Sequence, residues 1–419
     1  MLVEIRVSNF RSFKNEVVFS MEPSSRNGEK DNLAKIKFSK VPYVYKTSGI
    51  FGANAAGKTN LLTAFEYLRF IIDKGSSTKI EDKILSDCYL FSKDYYKKPT
   101  CLKIKFLKNS RLYEYEICLL NGNVVKEKAF FNDFSDQGSK RQKCIFSREQ
   151  KKDGSYSFVL SKGIKKSWSD ELLPQRVFLS DMINNRKADK KEVYDIYDFF
   201  QKDIYIINDK GSSFMSALRK IADDAESRKE IVEFTKNADF GLEDISAKYP
   251  SMEEFFEKIN IKEEDEDAKE FFEQIRPVKA VTFHRTEEGE IKKLSFSKTE
   301  SEGTKAYLAI SELILKALKE GKVLLVDELD ESLHPYLVRN LVNLFNNNES
   351  NAQLIFTSHA HYLMDGEALT RDQIWLASKE NGFYTELYSL SDFSDRKRID
   401  FYKAYMNGIY GAVPNVLEL

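Results

Sequence analysis

The sequence predicts an α/β fold with a mixed central sheet, and three segments lead to this prediction. Gly52 to Thr59 fits G-x-x-x-x-G-K-[ST], the pattern of a phosphate-binding P-loop. Val323 to Glu328 is an apolar run of the kind found in buried parallel strands, and it ends in two acids. Ala352 to His359 is a second such run and ends in Ser-His. Ligands of doubly wound sheets bind at the carboxyl ends of the strands, so these segments predict a site at one sheet edge.

The P-loop match stands between a predicted strand and a predicted helix. Ser48 to Phe51 ends a short apolar run. Downstream, apolar residues recur at helical spacing: Leu61, Leu62, Phe65, Leu68 and Ile72. Backbone N–H groups at such a helix start favour phosphate, and Gly52 and Gly57 allow a tight wrap because they lack a Cβ. Lys58 would reach the β- and γ-phosphates, and Thr59 would give a hydroxyl to Mg²⁺. The alternative is a Gly/Ala-rich turn that matches by chance, and the flanking strand and helix argue against it.

Further candidate residues stand at the ends of the other segments. Asp327 is placed to hold the water shell of Mg²⁺, and Glu328 is placed to polarise water. A buried strand ending in Asp-Glu is as often structural as catalytic. His359 is a candidate sensor of the γ-phosphate, although a lone histidine is usually structural. Ser301 and Gly303 open a predicted helix with unsatisfied backbone N–H groups, which alone indicates only an ordinary helix start.

Composition excludes several classes of protein. The chain has 419 residues and a formal net charge of −1, which predicts two or three globular domains and argues against a chain-wide attraction to nucleic acid. A local basic groove stays open. The cysteines Cys88, Cys101, Cys118 and Cys144 have no C-x-x-C spacing, so we expect four reduced thiols in a cytoplasmic protein. No apolar run reaches the length needed to span a bilayer, and the N-terminus reads as a strand.

The chain divides into four predicted parts. Residues 1–83 form the N-terminal part of the core with the P-loop, and residues 84–164 alternate as an antiparallel β subdomain. Residues 165–277 are a helical insert, in which the acidic run 263–267 is expected to be a solvated surface. Residues 278–419 return the chain to the core.

The order of these motifs resembles that of the ABC-type ATPases of the SMC and RecF-like branch. A P-loop, a long insert, S-x-G plus a helix, a strand ending in Asp-Glu, LDESLHP at residues 329–335, and a strand ending in Thr-Ser-His follow one another. The stretch NFRSF at residues 9–13 is similar to the start of the same branch. Within it, the chain most resembles the RloA-like and abortive-infection ATPases, relatives of the overcoming-lysogenisation-defect ATPases. The closing segment FYKAYMNGIYGAVP resembles the end of that subfamily.

The resemblance implies ATP and Mg²⁺ as cofactors and a role for each motif. The P-loop, with Asn54 and Asn60, would hold the phosphates, Thr59 and Asp327 the metal, and Glu328 would be the catalytic base. The resemblance also implies that His359 is the switch histidine and that Ser301 and Gly303 act on the partner's γ-phosphate. Asp330 would belong to the loop that communicates across the dimer. Two ATP molecules would be sandwiched in a head-to-tail homodimer or a higher assembly of such dimers.

The chain departs from the family pattern at two positions beside Ser301. Glu302 replaces the usual first glycine, and Glu300 replaces a usual leucine. A carboxylate near a triphosphate is repulsive unless it points away. The glutamine loop of the family has three candidates: Gln142, Gln150 and Gln175.

Three functions are compatible with these motifs. The first is an ATPase that senses a signal and regulates a separately encoded effector, nuclease- or toxin-like, in anti-phage defence, because the segment after His359 is too short for a nuclease domain. The second is a RecF-like DNA-repair ATPase, with lysine patches near residues 162–166 and 187–191 as candidate DNA contacts. The third is an ATP-gated scaffold with little hydrolysis, which the Glu302 departure favours.

Overall fold

The computed structural model describes residues 1–24, 32–36, 43–77, 87–133, 142–238, 240–259, 266–275, 277–380, 383–393 and 400–414. The chain forms two compact units. The first comprises residues 1–206, 320–329 and 339–419, and the second comprises residues 207–319 and 330–338. The four-part division predicted from the sequence stays a prediction. Residues 263–265 of the acidic run lie outside the described residues.

The strands follow one another along the chain in a long series. They are β1 (Leu2–Ser8), β2 (Val17–Ser20), β3 (Leu33–Lys35), β4 (Tyr43–Tyr45), β5 (Thr47–Phe51), β6 (Thr100–Lys108), β7 (Arg111–Leu120), β8 (Asn123–Asp133), β9 (Lys143–Gln150), β10 (Tyr156–Leu160), β11 (Ile204–Ile207), β12 (Leu242–Lys248), β13 (Lys279–Arg285), β14 (Ile291–Ser295), β15 (Val323–Val326), β16 (Gln353–Thr357), β17 (Ile374–Glu380) and β18 (Tyr384–Ser389).

The helices are concentrated between β10 and β13 and around the strands of the central sheet. They are α1 (Lys58–Lys74), α2 (Lys166–Asp170), α3 (Phe178–Asn184), α4 (Lys191–Lys202), α5 (Lys210–Asp223), α6 (Ala225–Lys236), α7 (Met252–Ile259), α8 (Glu266–Ile275), α9 (Phe296–Thr299), α10 (Glu302–Glu320), α11 (Pro335–Asn346) and α12 (Phe401–Met406). Among the described residues, no helix is both long enough and apolar enough to cross a membrane.

The first unit contains a mixed sheet in the order β11-β15-β16-β5-β17-β18. The pairs β15–β16, β16–β5 and β5–β17 are parallel, and β17–β18 is antiparallel. Every residue of β5, β15 and β16 is buried, as expected for parallel strands covered on both faces. The mixed α/β fold predicted from the sequence is confirmed. Since β16 lies between β15 and β5, the carboxyl ends of these three strands are neighbours.

A second sheet in the same unit is antiparallel throughout, in the order β10-β9-β8-β7-β6-β1-β2. Alternate residues of β6 are buried, which explains the alternating sequence pattern. The N-terminal hairpin belongs to this sheet, because β1 pairs with β6 as well as with β2. The segment that the sequence predicts as helical also contributes two strands, β11 and β12. The run Ile-Tyr-Ile-Ile of β11 is short, β-branched and aromatic, which favours a strand over a helix.

The second unit packs α5 and α6 with the three-stranded sheet β12-β13-β14 and most of α10. Its apolar core includes Leu218 of α5, Ile231 of α6, Ile245 of β12 and Leu308 of α10. The helical periodicity of the sequence around Leu218, Ile231 and Leu308 therefore corresponds to the buried faces of the helices.

The expectation of four reduced cysteines is wrong for two of them. Cys101 on β6 and Cys118 on β7 stand directly opposite each other, with Cα atoms 4.1 Å apart, and form a disulfide. Their separation of 17 residues gives no sequence signal of pairing, because the contact is set by the register of the two strands. Cys88 and Cys144 carry free thiols.

Candidate active site

The P-loop connects β5 to α1 in the first unit, as the sequence predicts. Gly52 has a φ of 143°, and a Cβ there would come within 2.2 Å of the Ala377 carbonyl oxygen. Gly57 has a φ of 99°, and a Cβ there would come within 2.2 Å of the Thr385 hydroxyl. Both positions combine positive φ with a close approach by another strand, so only glycine fits. The backbone of the loop at these two glycines therefore lies directly against β17 and β18.

A cleft of about 650 Å³ opens over this loop. Its described lining comprises Asn54 to Asn60, Glu328 and His359. The loop leads into the N-terminus of the 17-residue helix α1, whose first turn holds no acidic residue. Backbone N–H groups and the helix dipole both favour an anion at such a place. No glutamine belongs to the described lining, so none of the three candidates for the glutamine loop is placed here.

Lys58 lies at the base of the cleft and is only 7% exposed. Its Nζ donates to the carbonyl oxygens of Gly52 at 2.9 Å and Ala53 at 3.1 Å. The Nε2 atom of His359 lies 3.2 Å from the same ammonium group. An ammonium group has only donors, so Nε2 accepts and the imidazole proton belongs on Nδ1. The structure thus brings the P-loop lysine and the predicted switch histidine together.

Thr59 and Asp327 form a pair of oxygen donors beside the loop. The Thr59 hydroxyl lies 2.9 Å from Oδ2 and 3.1 Å from Oδ1 of Asp327. A hydroxyl and one carboxylate suit Mg²⁺, which prefers oxygen ligands and usually takes its remaining ligands from water and substrate phosphates. Burial raises the pKa of Glu66, further along α1, and the negative charge of Asp327 adds to this effect while Arg11 opposes it. The residues present therefore fit the metal that the motif implies.

Glu328 is exposed and lines the cleft next to Asp327. Its φ is 49°, in the left-handed region that residues with a Cβ seldom adopt. Its N–H donates to the Thr357 hydroxyl at 2.8 Å, and the following Leu329 N–H donates to the Thr357 carbonyl at 3.0 Å. The turn after β15 therefore directs one carboxylate toward Thr59 and exposes the next one in the cleft.

Asn60 and the stretch around Ser12 form a polar network on the other side of Gly57. The Asn60 amide donates to Ser12 Oγ at 2.6 Å, and the Thr385 hydroxyl lies 2.7 Å from the same Oγ. Thr385 also donates to the Ala56 carbonyl at 2.6 Å. The N-terminal stretch at residues 9–13, which resembles the SMC branch, thus holds the end of the P-loop through hydrogen bonds of Ser12.

The remaining predicted site residues lie in the second unit. Ser301 is exposed and caps α10, since its Oγ accepts the Thr304 N–H at 3.1 Å. A Cβ on Gly303 would lie 2.8 Å from the Ser332 carbonyl, so the absence of a side chain allows the helix start to approach the segment after Asp330. Ser301, Gly303 and Asp330 are therefore grouped with one another in this unit.

The two unusual glutamates beside Ser301 each have a partner within the second unit. The Glu300 carboxylate accepts the Thr282 hydroxyl at 2.6 Å and lies 2.7 Å from His284 Nε2, with its side chain only 7% exposed. The Glu302 side chain is 78% exposed and pairs with Lys305 at 2.8 Å. The Glu300 carboxylate is thus held by hydrogen bonds to β13, and Glu302 faces solvent.

Three contributors to the site were not singled out by sequence reasoning. The sequence indicates Thr357 only as the last residue of a strand and gives no signal for Thr385, because their partners are set by the sheet order. The sequence of the closing segment indicates only a resemblance, whereas in the structure the Ala412 carbonyl accepts the Ala53 N–H of the P-loop at 3.0 Å. A lone threonine or alanine carries no local signal of such contacts.

The sequence model of one protein family, described as "AAA domain, putative AbiEii toxin, Type IV TA system", matches residues 48–365, more than half of the chain. The chain belongs to this family. The matched part of this AbiEii-like AAA protein contains the P-loop, the serine–glycine segment, both acids and the histidine. This match confirms the prediction of a P-loop domain related to abortive-infection proteins, and the SMC/RecF-like branch and the RloA-like subfamily stay predictions.

Solved SMC head domains resemble the chain over nearly its whole length. The SMC head domain from Thermotoga maritima is 13% identical, covers 93% of this chain and 98% of its own, and has a TM-score of 0.43. An SMC head solved with the C-terminal winged-helix domain of ScpA is 14% identical, covers 97% and 99%, and has a TM-score of 0.46. No curated protein matches the chain.

Proposed function

We propose that this AbiEii-like AAA protein binds ATP with Mg²⁺ in the cleft over the P-loop and hydrolyses it. The observation that carries the proposal is the convergence of Lys58, Thr59, Asp327, Glu328 and His359 on that cleft. These residue types supply a cation for phosphate, oxygen ligands for a metal, a carboxylate for a proton and an imidazole near the same lysine. Together they match the needs of phosphoryl transfer to water.

Each residue has a separate task in this proposal. Lys58 and the loop N–H groups bind the phosphates, and His359 contacts the γ-phosphate. Thr59 and Asp327 would hold Mg²⁺, which when bound neutralises phosphate charge. Glu328, exposed in the cleft, accepts the proton of the attacking water.

We extend the proposal to a head-to-tail dimer in which Ser301, Gly303 and Asp330 act on the partner's nucleotide. Ser301 is exposed at the N-terminus of the 19-residue helix α10, where N–H groups and the helix dipole favour an anion. The order of motifs along the chain supports the same arrangement. Both carboxylates beside Ser301 have partners in the second unit, which supports hydrolysis over a scaffold with little hydrolysis, and steady-state turnover by the purified protein decides between the two.

The biological role we propose is regulation of a separately encoded effector in anti-phage defence. The family description names an AbiEii toxin and a type IV toxin–antitoxin system, which supports a defence context. The test is phage challenge of the native host with and without the gene, together with isolation of bound proteins. Unchanged phage sensitivity and no co-purifying protein would contradict this role.

The hydrolysis test is Glu328→Gln, which removes the charge and keeps the shape. Phosphate contacts through Lys58 and the oxygen pair of Thr59 and Asp327 stay in place, so ATP binding should survive. General-base contributions are typically about 10²- to 10⁴-fold, so steady-state hydrolysis should fall at least about 100-fold. Unhydrolysed ATP should then hold two chains together, which sedimentation with and without ATP measures.

The matched control is Glu349→Gln, an exposed glutamate on the loop after α11, outside the described lining of the cleft. It should hydrolyse ATP at the wild-type rate. Asp327→Asn should differ from both, because it damages the metal site and weakens the closed dimer itself. Near-normal turnover by Glu328→Gln would show that Glu328 is not the base, and lost turnover without an ATP-dependent change of size would contradict the dimer.

A further inference from the structure

We propose that Thr357 is a positioning residue that sets both acids of the cleft, through its side chain and its backbone. The inference rests on the proposed function and adds to it a role for a residue to which the resemblance assigns none. Thr357 ends β16, the strand between those that carry the P-loop and Asp327, and it is fully buried.

The Thr357 hydroxyl connects Asp327 and Glu328 directly. Its Oγ1 donates to Asp327 Oδ1 and accepts the Glu328 N–H at 2.8 Å. A hydroxyl has one proton to donate, and a carboxylate can only accept. The Thr357 hydroxyl therefore donates its proton to Asp327 and accepts the Glu328 N–H with a lone pair. One side chain thus fixes the carboxylate of the first acid and the backbone of the second.

The same residue holds a strained turn. Glu328 adopts a φ of 49°, and conformations of this kind persist only where the surroundings determine them. Here two successive N–H groups, of Glu328 and Leu329, bond to the hydroxyl and carbonyl of Thr357. The direction in which the Glu328 carboxylate leaves the backbone therefore depends on Thr357.

Asp327 is fixed from both sides by hydroxyls. Thr59 reaches its carboxylate from the P-loop at 2.9 and 3.1 Å, and Thr357 reaches Oδ1 from β16. Parallel pairing places Phe356 opposite Val326, so the residue after each is the next neighbour across the two strands. The sheet register therefore brings a hydroxyl to this carboxylate, and it orients the group that would hold Mg²⁺.

The test compares Thr357→Val, which keeps the shape and removes the hydroxyl, with Thr357→Ser, which keeps the hydroxyl. Residues that hydrogen-bond to a metal ligand typically contribute about 10- to 100-fold to activity or metal affinity. We expect kcat to fall by about that factor in Thr357→Val. The kcat of Thr357→Ser should stay within about threefold of the wild-type value. If valine prevents folding, Thr357→Ala replaces it.

A second readout does not depend on turnover. The affinity for a fluorescent ATP analogue is measured by titration, once in the presence of Mg²⁺ and once in the presence of EDTA. Thr357→Val should lose most of the affinity that Mg²⁺ adds and keep the affinity measured in EDTA, because Lys58 and the loop are unchanged. A merely structural threonine would lower both affinities together or neither.

The matched control is Thr47→Val, at the start of β5 and so at the opposite end of that strand from the P-loop. Thr47 is also fully buried, and its hydroxyl bonds to Asn346 and Gln373, away from the cleft. It should lower thermal stability without changing kcat or the effect of Mg²⁺. Wild-type kcat and Mg²⁺ dependence in Thr357→Val would overturn the inference, as would equal losses in Thr357→Val and Thr357→Ser.

The two proposals fail in different ways. A wild-type chain that binds ATP but does not hydrolyse it contradicts the proposed function, and the Mg²⁺ titration still decides the role of Thr357. A wild-type chain that binds no ATP contradicts both.

Discussion

At the scale of single residues, Lys58 brings positive charge to the P-loop. Among the described residues that line the cleft it is the one lysine, and no arginine accompanies it. Its ammonium group bonds to two loop carbonyls and lies beside His359, so it is held at the place where phosphates would enter.

We expect Lys58→Ala to lose ATP binding, because charge-assisted hydrogen bonds are each worth about 1.5–3 kcal/mol and no other lining side chain supplies the charge. Equilibrium titration with ATP and Mg²⁺ measures the loss. Lys74→Ala, at an exposed lysine that ends the same helix, is the matched control and should bind normally. Wild-type affinity in Lys58→Ala would mean that the site is wrongly assigned.

The residue scale also shows where sequence reasoning works. The loop with Gly52, Gly57, Lys58 and Thr59 was predictable between a strand and a helix, because a P-loop is a local motif whose geometry follows from spacing, and the roles of these residues stay predictions. Thr357 was not, because its role depends on which strand lies between two others, and the spacing of residues along one strand does not contain that information.

At the scale of elements, the start of β15 is anchored by an ion cluster distant from the cleft. Asp203, at the end of α4, accepts hydrogen bonds from Lys322 at 2.6 Å and from Lys108 at the end of β6. Burial alone would raise the pKa of Asp203, but the two lysines hold it below its ordinary value. The cluster joins the antiparallel sheet, β11 and the strand that leads to Asp327.

The sign of the pH dependence follows from that lowered pKa. The folded carboxyl keeps its charge to lower pH than the unfolded one, so its stabilisation is complete above about pH 4 and is lost on further acidification. Asp203→Asn should cost about 1–3 kcal/mol at neutral pH, and the difference from the wild type should shrink below about pH 4. Urea unfolding across this range measures it.

The control for this element is Asp170→Asn, an exposed aspartate at the end of α2. It should unfold like the wild type at every pH. A constant difference between Asp203→Asn and the wild type down to pH 3 would show that the lysines contribute no charge-dependent stability.

Prediction of the elements from sequence was good where pattern and burial agree. The alternation of β6 and the apolar runs of β15 and β16 reveal strands, because one or both faces of each strand are buried. The pairing of β1 with β6, and of Cys101 with Cys118, could not be read, because strands distant in sequence choose their partners by tertiary packing.

At the scale of the whole molecule, the site residues fall into two units. Lys58 and Glu328 belong to the first, and Ser301 and Gly303 to the second. We propose that the residues of the second unit act on the nucleotide of a partner chain, and mixing two defective variants tests this proposal.

Lys58→Ala and Ser301→Arg should each be inactive alone. In a head-to-tail dimer of one of each, one composite site carries both defects and the other carries neither. Random mixing of equal amounts should therefore restore about a quarter of the wild-type hydrolysis rate if the sites act independently. A wild-type rate from Ser301→Arg alone would rule out its action on the partner's nucleotide.

The position of β5 in the central sheet has a consequence for synthesis of the chain. Both strands that flank β5, β16 and β17, are encoded about 300 residues after it. At about 5–20 residues per second, the ribosome takes on the order of 15–60 seconds to make that distance. During this interval the apolar strand that leads into the P-loop has neither of its neighbours. The nascent chain must therefore be kept from aggregating by other contacts, such as those between α1 and the helices α3 and α4, until β16 emerges.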